Sequence, residues 1–530
     1  MKKTYAFALA SGMLMLGSCA SDAPEAPNTP ATPANGEAVG YVKIVFDSPA
    51  GTRADGDETL PAYSDANATA DELKIENAAF LFYDAKGEYI STVYVDEQDL
   101  LTDHNNVNTC AVVKITDANV AQVACVLNGE RSGLGDGDTS PVKGHGYDSD
   151  INDPDKYDVS FYRKNNNTGA FYMSSSKYWD GDENPTYLQP IPHGGLVATP
   201  EEAAELVGDK AVRLYVERYV AKVKISQTVL AGTATTMDPL TGEKKDQVKV
   251  TTDDGTVVTC TATFEPEYAT LTAYRNKAYT LKQIAKNWSA IETLGLSSVA
   301  NDITNFRSNW VTDVAGDLQY PSLTNVKSST NKNKFGNILY PFENRGTNSK
   351  EYTNIVVAGK YTFKDADGND IVTDGETFYL VGIGDSFQIY TTEADAITAM
   401  FGDPETDELV KETTTANDNK TWTGWMKLVN KTSKAEVNAI RCMKYNGGYG
   451  YYTKPIDRFV IGGTNYRAIV RNTFYQISVD QITGMGTGIP DDNQPIIPIT
   501  PPDPSKQNYY VHIGVYVNPW AVVDTQSVKW

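Results

Sequence analysis

The sequence predicts an all-β chain. Runs rich in Val, Thr and Tyr recur between Gly, Asn and Asp turns: FLFYD (80–84), VVKIT (112–116), VACVLN (123–128), VRLYVERYVAKVKI (212–225), QVKVTTDDGTVVTCTATF (247–264) and NIVVAGKYTFKDADGNDIVTDGETFYLVGI (354–383). Such runs suit pleated, half-buried strands. Tyr is abundant at 32 residues, and helical patterns are few. The better ones are PEEAAELVGD (200–209), with an acidic first turn, and TTEADAITAMFG (391–402). A length of 530 residues allows two or three domains with ample core.

In chain order, Lys2 and Lys3 precede an apolar run from Ala6 to Leu16, and Leu16-Gly17-Ser18-Cys19 follows. Basic, apolar and small-residue regions in that order form an export signal, too short for a transmembrane helix. The ending resembles a bacterial lipobox, in which the Cys19 thiol is acylated and becomes the first residue. Residues 21–39 (SDAPEAPNTPATPANGEAV) have too little apolar content to fold and read as a tether. A short strand then spans 41–47, with Val42, Ile44 and Phe46 on one face. It ends in a small, acidic, Gly-containing loop around Arg53 and Ala54 that reads as exposed and cleavable, although taken alone the arginine reads as a solvated charge.

At the other end, IPDDNQPIIPITPPDPSKQ (489–507) is rich in proline. Proline donates no backbone hydrogen bond and fixes φ, so this leash is expected to be extended and semi-rigid rather than folded. Beyond it Val511, Ile513, Val515 and Val517 alternate with Tyr510, His512, Gly514 and Tyr516, and Trp520 follows. The period of two marks a strand with one buried face. Such a strand either folds back or pairs with another molecule.

Several functions are disfavoured. A formal net charge of −22 does not suit a nucleic-acid partner, which calls for a basic stripe, and it suits a protein kept soluble outside the cell. Only His104, His145, His193 and His512 are present, without HExxH, GxSxG or a Walker loop, so no catalytic residue, metal or cofactor is expected. Asp365-Ala366-Asp367-Gly368-Asn369-Asp370 hints at a calcium loop but lies between strand-like segments, and reads better as a hairpin turn. The acidic stretch from Gly133 to Asp158 reads as a surface loop, and Trp422 and Trp425 as core. Cys110, Cys125, Cys260 and Cys442 show no CxxC spacing. Buried thiols are the simpler reading, and a Cys110–Cys125 bridge the alternative.

Five features in register resemble the Bacteroidales fimbrillins, the stalk subunits of type V pili. They are Cys19, the strand 41–47 with Arg53 behind it, the mid-chain strand from Val216 to Ile225, the block from Val470 to Ile477, and the tail Val517-Asn518-Pro519-Trp520 closing on Trp530. Regions 130–200 and 300–450 carry no match. The resemblance implies two tandem transthyretin-like β-sandwiches. The organisation would be a lipoprotein signal peptide (1–19), a propeptide with a removable strand (20–53), an N-terminal sandwich (54–216), a C-terminal sandwich (217–484) and a leash with a donor strand (485–530).

It also implies a mechanism. The exported precursor would sit in the outer membrane through its lipid, and an Arg-specific surface protease would cut after Arg53. The groove left by strand 41–47 would accept the C-terminal strand of the next copy, head to tail. Burying Val511, Ile513, Val515, Val517 and Trp520 would contribute roughly 8–15 kcal/mol gross. Anchor and tip subunits would complete the fimbria, which would serve adhesion and biofilm formation. In the uncleaved chain, 41–47 should pair within the N-terminal domain, and 509–530 should have no fixed groove there. The competing readings are a tip or accessory adhesin of the same pilus and a surface glycan-binding lipoprotein that keeps its lipid.

Overall fold

The computed structural model describes residues 39–47, 68–102, 109–129, 163, 169–176, 188–227, 232–233, 236–237, 244–245, 247–280, 316–329, 332–346, 348–383, 386–416, 419–461, 464–483, 485–498 and 510–519. Cys19, Arg53, Ala54, Trp520 and the 133–158 stretch lie outside these residues.

The chain is built of strands. In the first part they are β1 (Gly40–Asp47), β2 (Asn77–Tyr83), β3 (Tyr89–Asp96), β4 (Thr109–Ile115), β5 (Gln122–Leu127), β6 (Met173–Ser176) and β7 (Val212–Arg218). With two short pieces they form a nine-stranded sheet in the order β3-β2-β5-β6-β7-β1-β4. The sheet curls on itself. Phe46 of β1 stacks on Phe80 of β2 with ring centroids 5.7 Å apart, although four strand-to-strand steps separate β1 from β2. Inside the curl, Val42, Ile44 and Phe46 meet Phe80 and Phe82, Val113 and Ile115, Val123 and Cys125, and Val212 and Leu214. The opposite face of β2 and β5 (Leu81, Tyr83, Val126) packs against Val220, Ala278 and Phe342 from the rest of the chain. Burial on both faces explains why AAFLFY and VACVL are nearly continuous apolar runs rather than alternating ones.

The rest of the chain opens with β8 (Lys222–Gln227), followed by β9 (Gln247–Thr251), the long β10 (Val257–Thr272) and β11 (Asn354–Lys364). Further strands are β12 (Phe378–Ile383), β13 (Ser386–Tyr390), β14 (Asp407–Ala416), β15 (Asn419–Asn430), β16 (Glu436–Tyr445), β17 (Tyr449–Pro455), β18 (Thr473–Thr483) and β19 (Tyr510–Pro519). A twelve-stranded sheet runs β14-β15-β16-β12-β13-β9-β10-β11-β17, with short strands at its margins. A four-stranded sheet joins Ile338–Leu339, β8, β18 and β19. The core between them sets Val223 and Ile225 of β8 and Tyr475, Ile477 and Val479 of β18 against Phe264, Val357, Tyr361 and Leu380.

Helices are short: α1 (Ala70–Leu73), α2 (Pro200–Ala204), α3 (Leu323–Ser328) and α4 (Glu393–Ala399). Helices α2 and α4 lie within the two segments that the sequence marks. Each starts on a threonine, Thr199 or Thr392, whose side chain accepts a backbone N–H of the first turn.

Two expectations need correction. The sequence predicts one strand from Val216 to Ile225, but the structure divides it between β7 and β8, which belong to different sheets. Between them Tyr219 N–H donates to the Tyr172 carbonyl (3.1 Å) and Ala221 N–H to that of Pro341 (2.9 Å). The backbone thus changes partners without breaking its apolar alternation. The leash, expected to be unfolded, is folded up to residue 498. Ile489 and Ile496 are buried beside Leu323, Val326 and Trp422, Ile496 N–H donates to the Pro321 carbonyl (2.9 Å), and Lys327 and Lys411 pair with Asp492 and Asp491 at 2.9 Å each.

Candidate functional site

The predicted removable strand, β1, lies inside its sheet. On one side it runs antiparallel to β4, from Gly40 opposite Ile115 to Val45 opposite Cys110. On the other it runs parallel to β7, from Ile44 beside Val212 to Asp47 beside Tyr215. Val42 and Ile44 are fully buried, and Lys43, Val45 and Phe46 nearly so. The second face of β1 is covered by the α2 region. Lys43 Nζ donates to the Ala204 carbonyl at the end of α2 (3.1 Å), and Val45 packs with Cys110, Ala211 and Leu206. At the entrance Gly40 has no room for a side chain: an added Cβ would lie 2.7 Å from Leu196 Cδ1 and 2.9 Å from the Val197 carbonyl oxygen.

The predicted donor strand, β19, is at the margin of a sheet. Val511, Ile513, Val515 and Val517 lie on a strand that pairs antiparallel with β18, from Thr473 opposite Pro519 to Thr483 opposite Tyr510, with an irregularity between Val479 and Gln481. It has no other strand partner among the described residues. Of the two courses open to this strand, the structure therefore has it folded back. It joins the four-stranded sheet and not the sheet that contains β1.

Between the two strands lies a buried polar seam that sequence reasoning missed. Glu72, on α1, is wholly buried. Its carboxylate accepts from Lys222 Nζ (3.0 Å) and from the Tyr340 hydroxyl (2.6 Å), and its carbonyl accepts from Arg218 Nε (2.7 Å). Burial pulls the Lys222 amine below its ordinary range, opposed by the Glu72 carboxylate. Arg218 also donates to Asn472 Oδ1 (2.9 Å), one residue before β18 begins. Asn472 takes a left-handed φ of 56°, which Asn tolerates better than most residues. The guanidinium of Arg471 pairs with Glu343 (2.7 Å) and donates to the Tyr279 carbonyl (2.7 Å). Burial works against the Arg471 charge, but Glu343 outweighs it and the pKa is raised. The available signal was the adjacent Arg471-Asn472, within the block that carries the resemblance.

Other candidate chemistry resolves into structure. The Asp365–Asp370 segment is a hairpin turn joining β11 to the short strand Asp370–Val372, and Asp365 accepts the N–H groups of Asp367 and Asn369. No cluster of His, Cys, Asp and Glu among the described residues would hold a metal. Trp422 is buried in the core and Trp425 is half-buried. Cys110, Cys125, Cys260 and Cys442 are buried thiols outside any disulfide, and burial pushes Cys125 and Cys442 up to about 12 and Cys260 up to about 11. Among the described residues no helix is long and apolar enough to cross a membrane.

Residues 443–526 match the family described as major fimbrial subunit protein type IV, fimbrillin, C-terminal. No curated protein matches the sequence. Solved structures similar along most of the chain include a candidate cell adhesion protein from Parabacteroides distasonis (12% identity, covering 91% of this chain and 99% of that one, TM-score 0.38). Another is a fimbrial assembly protein from the same organism (11%, 74% and 97%, TM-score 0.29). A third is the tip fimbrial protein Mfa3 from Porphyromonas gingivalis with a C-terminal truncation (9%, 91% and 100%, TM-score 0.31). The matched region contains β18, the leash and β19, so the similarity to the fimbrillin family lies in the C-terminal part of the chain.

Proposed function

We propose that the chain is a stalk subunit that polymerises by strand exchange after proteolysis. Residues 1–19 direct export and end at an acylated Cys19, which holds the precursor at the outer membrane. Cleavage between Arg53 and Ala54 frees residues 20–53. Strand β1 leaves with them, and the C-terminal strand of another copy, swung off β18 on its leash, takes the vacated place. Residues 54–216 and 217–484 are the two folded units that the stalk repeats, with anchor and tip subunits at its ends. The mature protein then resides in extracellular fimbriae and serves adhesion and biofilm formation.

The observation that carries this reading is the placement of β1. It is an interior strand flanked by β4 and β7, with Val42 and Ile44 at 0% exposure. Removing it would open a slot with two unpaired strand edges and an apolar floor, a combination that costs heavily unless refilled. The incoming strand restores ladder bonds of the same kind, so the exchange is close to strand for strand. Durability then rests on slow exit, since the whole ladder must break together. A head-to-tail contact of this kind does not close on itself and yields a filament.

The test is the N-terminal sequence and intact mass of protein sheared from the cell surface. A start at Ala54 without lipid is expected. A start at acylated Cys19 would mean that β1 stays in place, and would overturn the proposal.

A further inference from the structure

Resting on the strand-exchange reading, we infer that the incoming strand enters in one register: Val511 at the place of Val42, Ile513 at Ile44 and Val515 at Phe46, with His512 at Lys43 and Gly514 at Val45. The slot left by β1 has two dissimilar faces, and both constrain the fit. The inner face takes three apolar residues spaced by two, as Val42, Ile44 and Phe46 are. A slip by one residue would turn Tyr510, His512 and Gly514 inward, so only even shifts remain.

The outer face and the entrance choose among the even shifts. The place of Val45 holds a valine, almost fully buried against Cys110, Ala211 and Leu206. In the inferred register it receives Gly514. Moving the donor two residues forward puts Tyr516 there, and moving it two back puts His512 there. At the entrance, Gly40's place admits no Cβ, with the Val197 carbonyl oxygen 2.9 Å from where one would be. Two residues forward, Val511 would have to occupy it. In the inferred register β19, which starts at Tyr510, begins at the place of Tyr41, so Tyr509 must turn out of the ladder before Gly40's place. The same alignment carries Val517 and Asn518 along Val216 and Glu217, past the point where the β1–β7 pairing ends at Asp47 and Tyr215. The donor therefore forms a longer ladder than the strand it replaces.

Because Val45 lies opposite Cys110, Gly514 of the incoming copy would lie opposite the acceptor's Cys110. Directly opposed positions hold their Cβ atoms about 4.5–5.5 Å apart, close to disulfide reach. The experiment takes full-length Gly514→Cys, His512→Cys and Tyr516→Cys chains, cleaves them behind Arg53 with an Arg-specific protease, and oxidises the filaments with copper phenanthroline. Gly514→Cys should give a ladder of covalent multimers on non-reducing gels, lost when Cys110→Ser is added, and the other two should not. A ladder from Tyr516→Cys or His512→Cys instead overturns the register and leaves strand exchange standing. A Gly514→Cys chain that folds but fails to extend also overturns the register, since its place formerly held a valine. Filaments without cross-links at any of the three positions overturn the register, whereas no filaments from the unsubstituted chain overturn the assembly reading and the register with it.

Discussion

The first and last described strands, β1 and β19, are similar in sequence and opposite in situation. Both alternate apolar residues over about one strand length. Yet β1 has a strand on each side and buries both faces, whereas β19 has one strand neighbour at a sheet margin. Removing an interior strand uncovers core on two faces and two rows of backbone groups. Lifting a marginal strand uncovers one row. The difference teaches how a chain could hold the proposed assembly in check: the strand that would leave is held by core on both faces, while the strand that would move has one ladder to break.

The most severe way to break the comparison is to delete 509–530. A folded monomer that is still cleaved behind Arg53 but gives no filaments under electron microscopy is expected; long filaments would assign the donor role elsewhere. Next, Phe46→Ala in the uncleaved chain should destabilise it by about 3–5 kcal/mol in urea unfolding, because a large buried ring is removed. A loss under about 1 kcal/mol would mean that β1 contributes little to the fold. Gly40→Ala should cost about 1–3 kcal/mol by overpacking against Leu196 and Val197, read from the same urea midpoint. The smallest free energies belong to local opening. Amide exchange in 510–519 should proceed through openings well below global unfolding, and exchange in 41–46 only through global unfolding. Equal protection of both would erase the distinction.

Much of this was legible in the sequence. The alternation of Val42, Ile44 and Phe46, the strand after the leash, and the turn at Asp365 follow from local pattern and turn chemistry. What stayed hidden depends on tertiary partners. Nothing in YVAKVKI announces that the chain leaves one sheet at Tyr219 and enters another at Lys222, because the carbonyls of Tyr172 and Pro341 impose the change. The leash misled through its prolines, although Ile489 and Ile496 already pointed to a buried first half. Glu72 and Lys222 look like ordinary surface charges until the fold places them 3.0 Å apart with almost no exposure.

The Arg218–Asn472 hydrogen bond has a mechanical consequence. Arg218 ends β7, which would wall the proposed slot, and Asn472 precedes β18, the strand from which the proposed donor would depart. In a filament assembled as proposed, tension enters each subunit along β7 and leaves near β18, so this contact and the ion pairs around it lie on the load path. Strands pulled along their own length resist in shear, with many ladder bonds strained at once, and rupture under force is governed by an unfolding rate rather than an equilibrium. The buried charges of the seam would then act as a rivet between the two loaded strands.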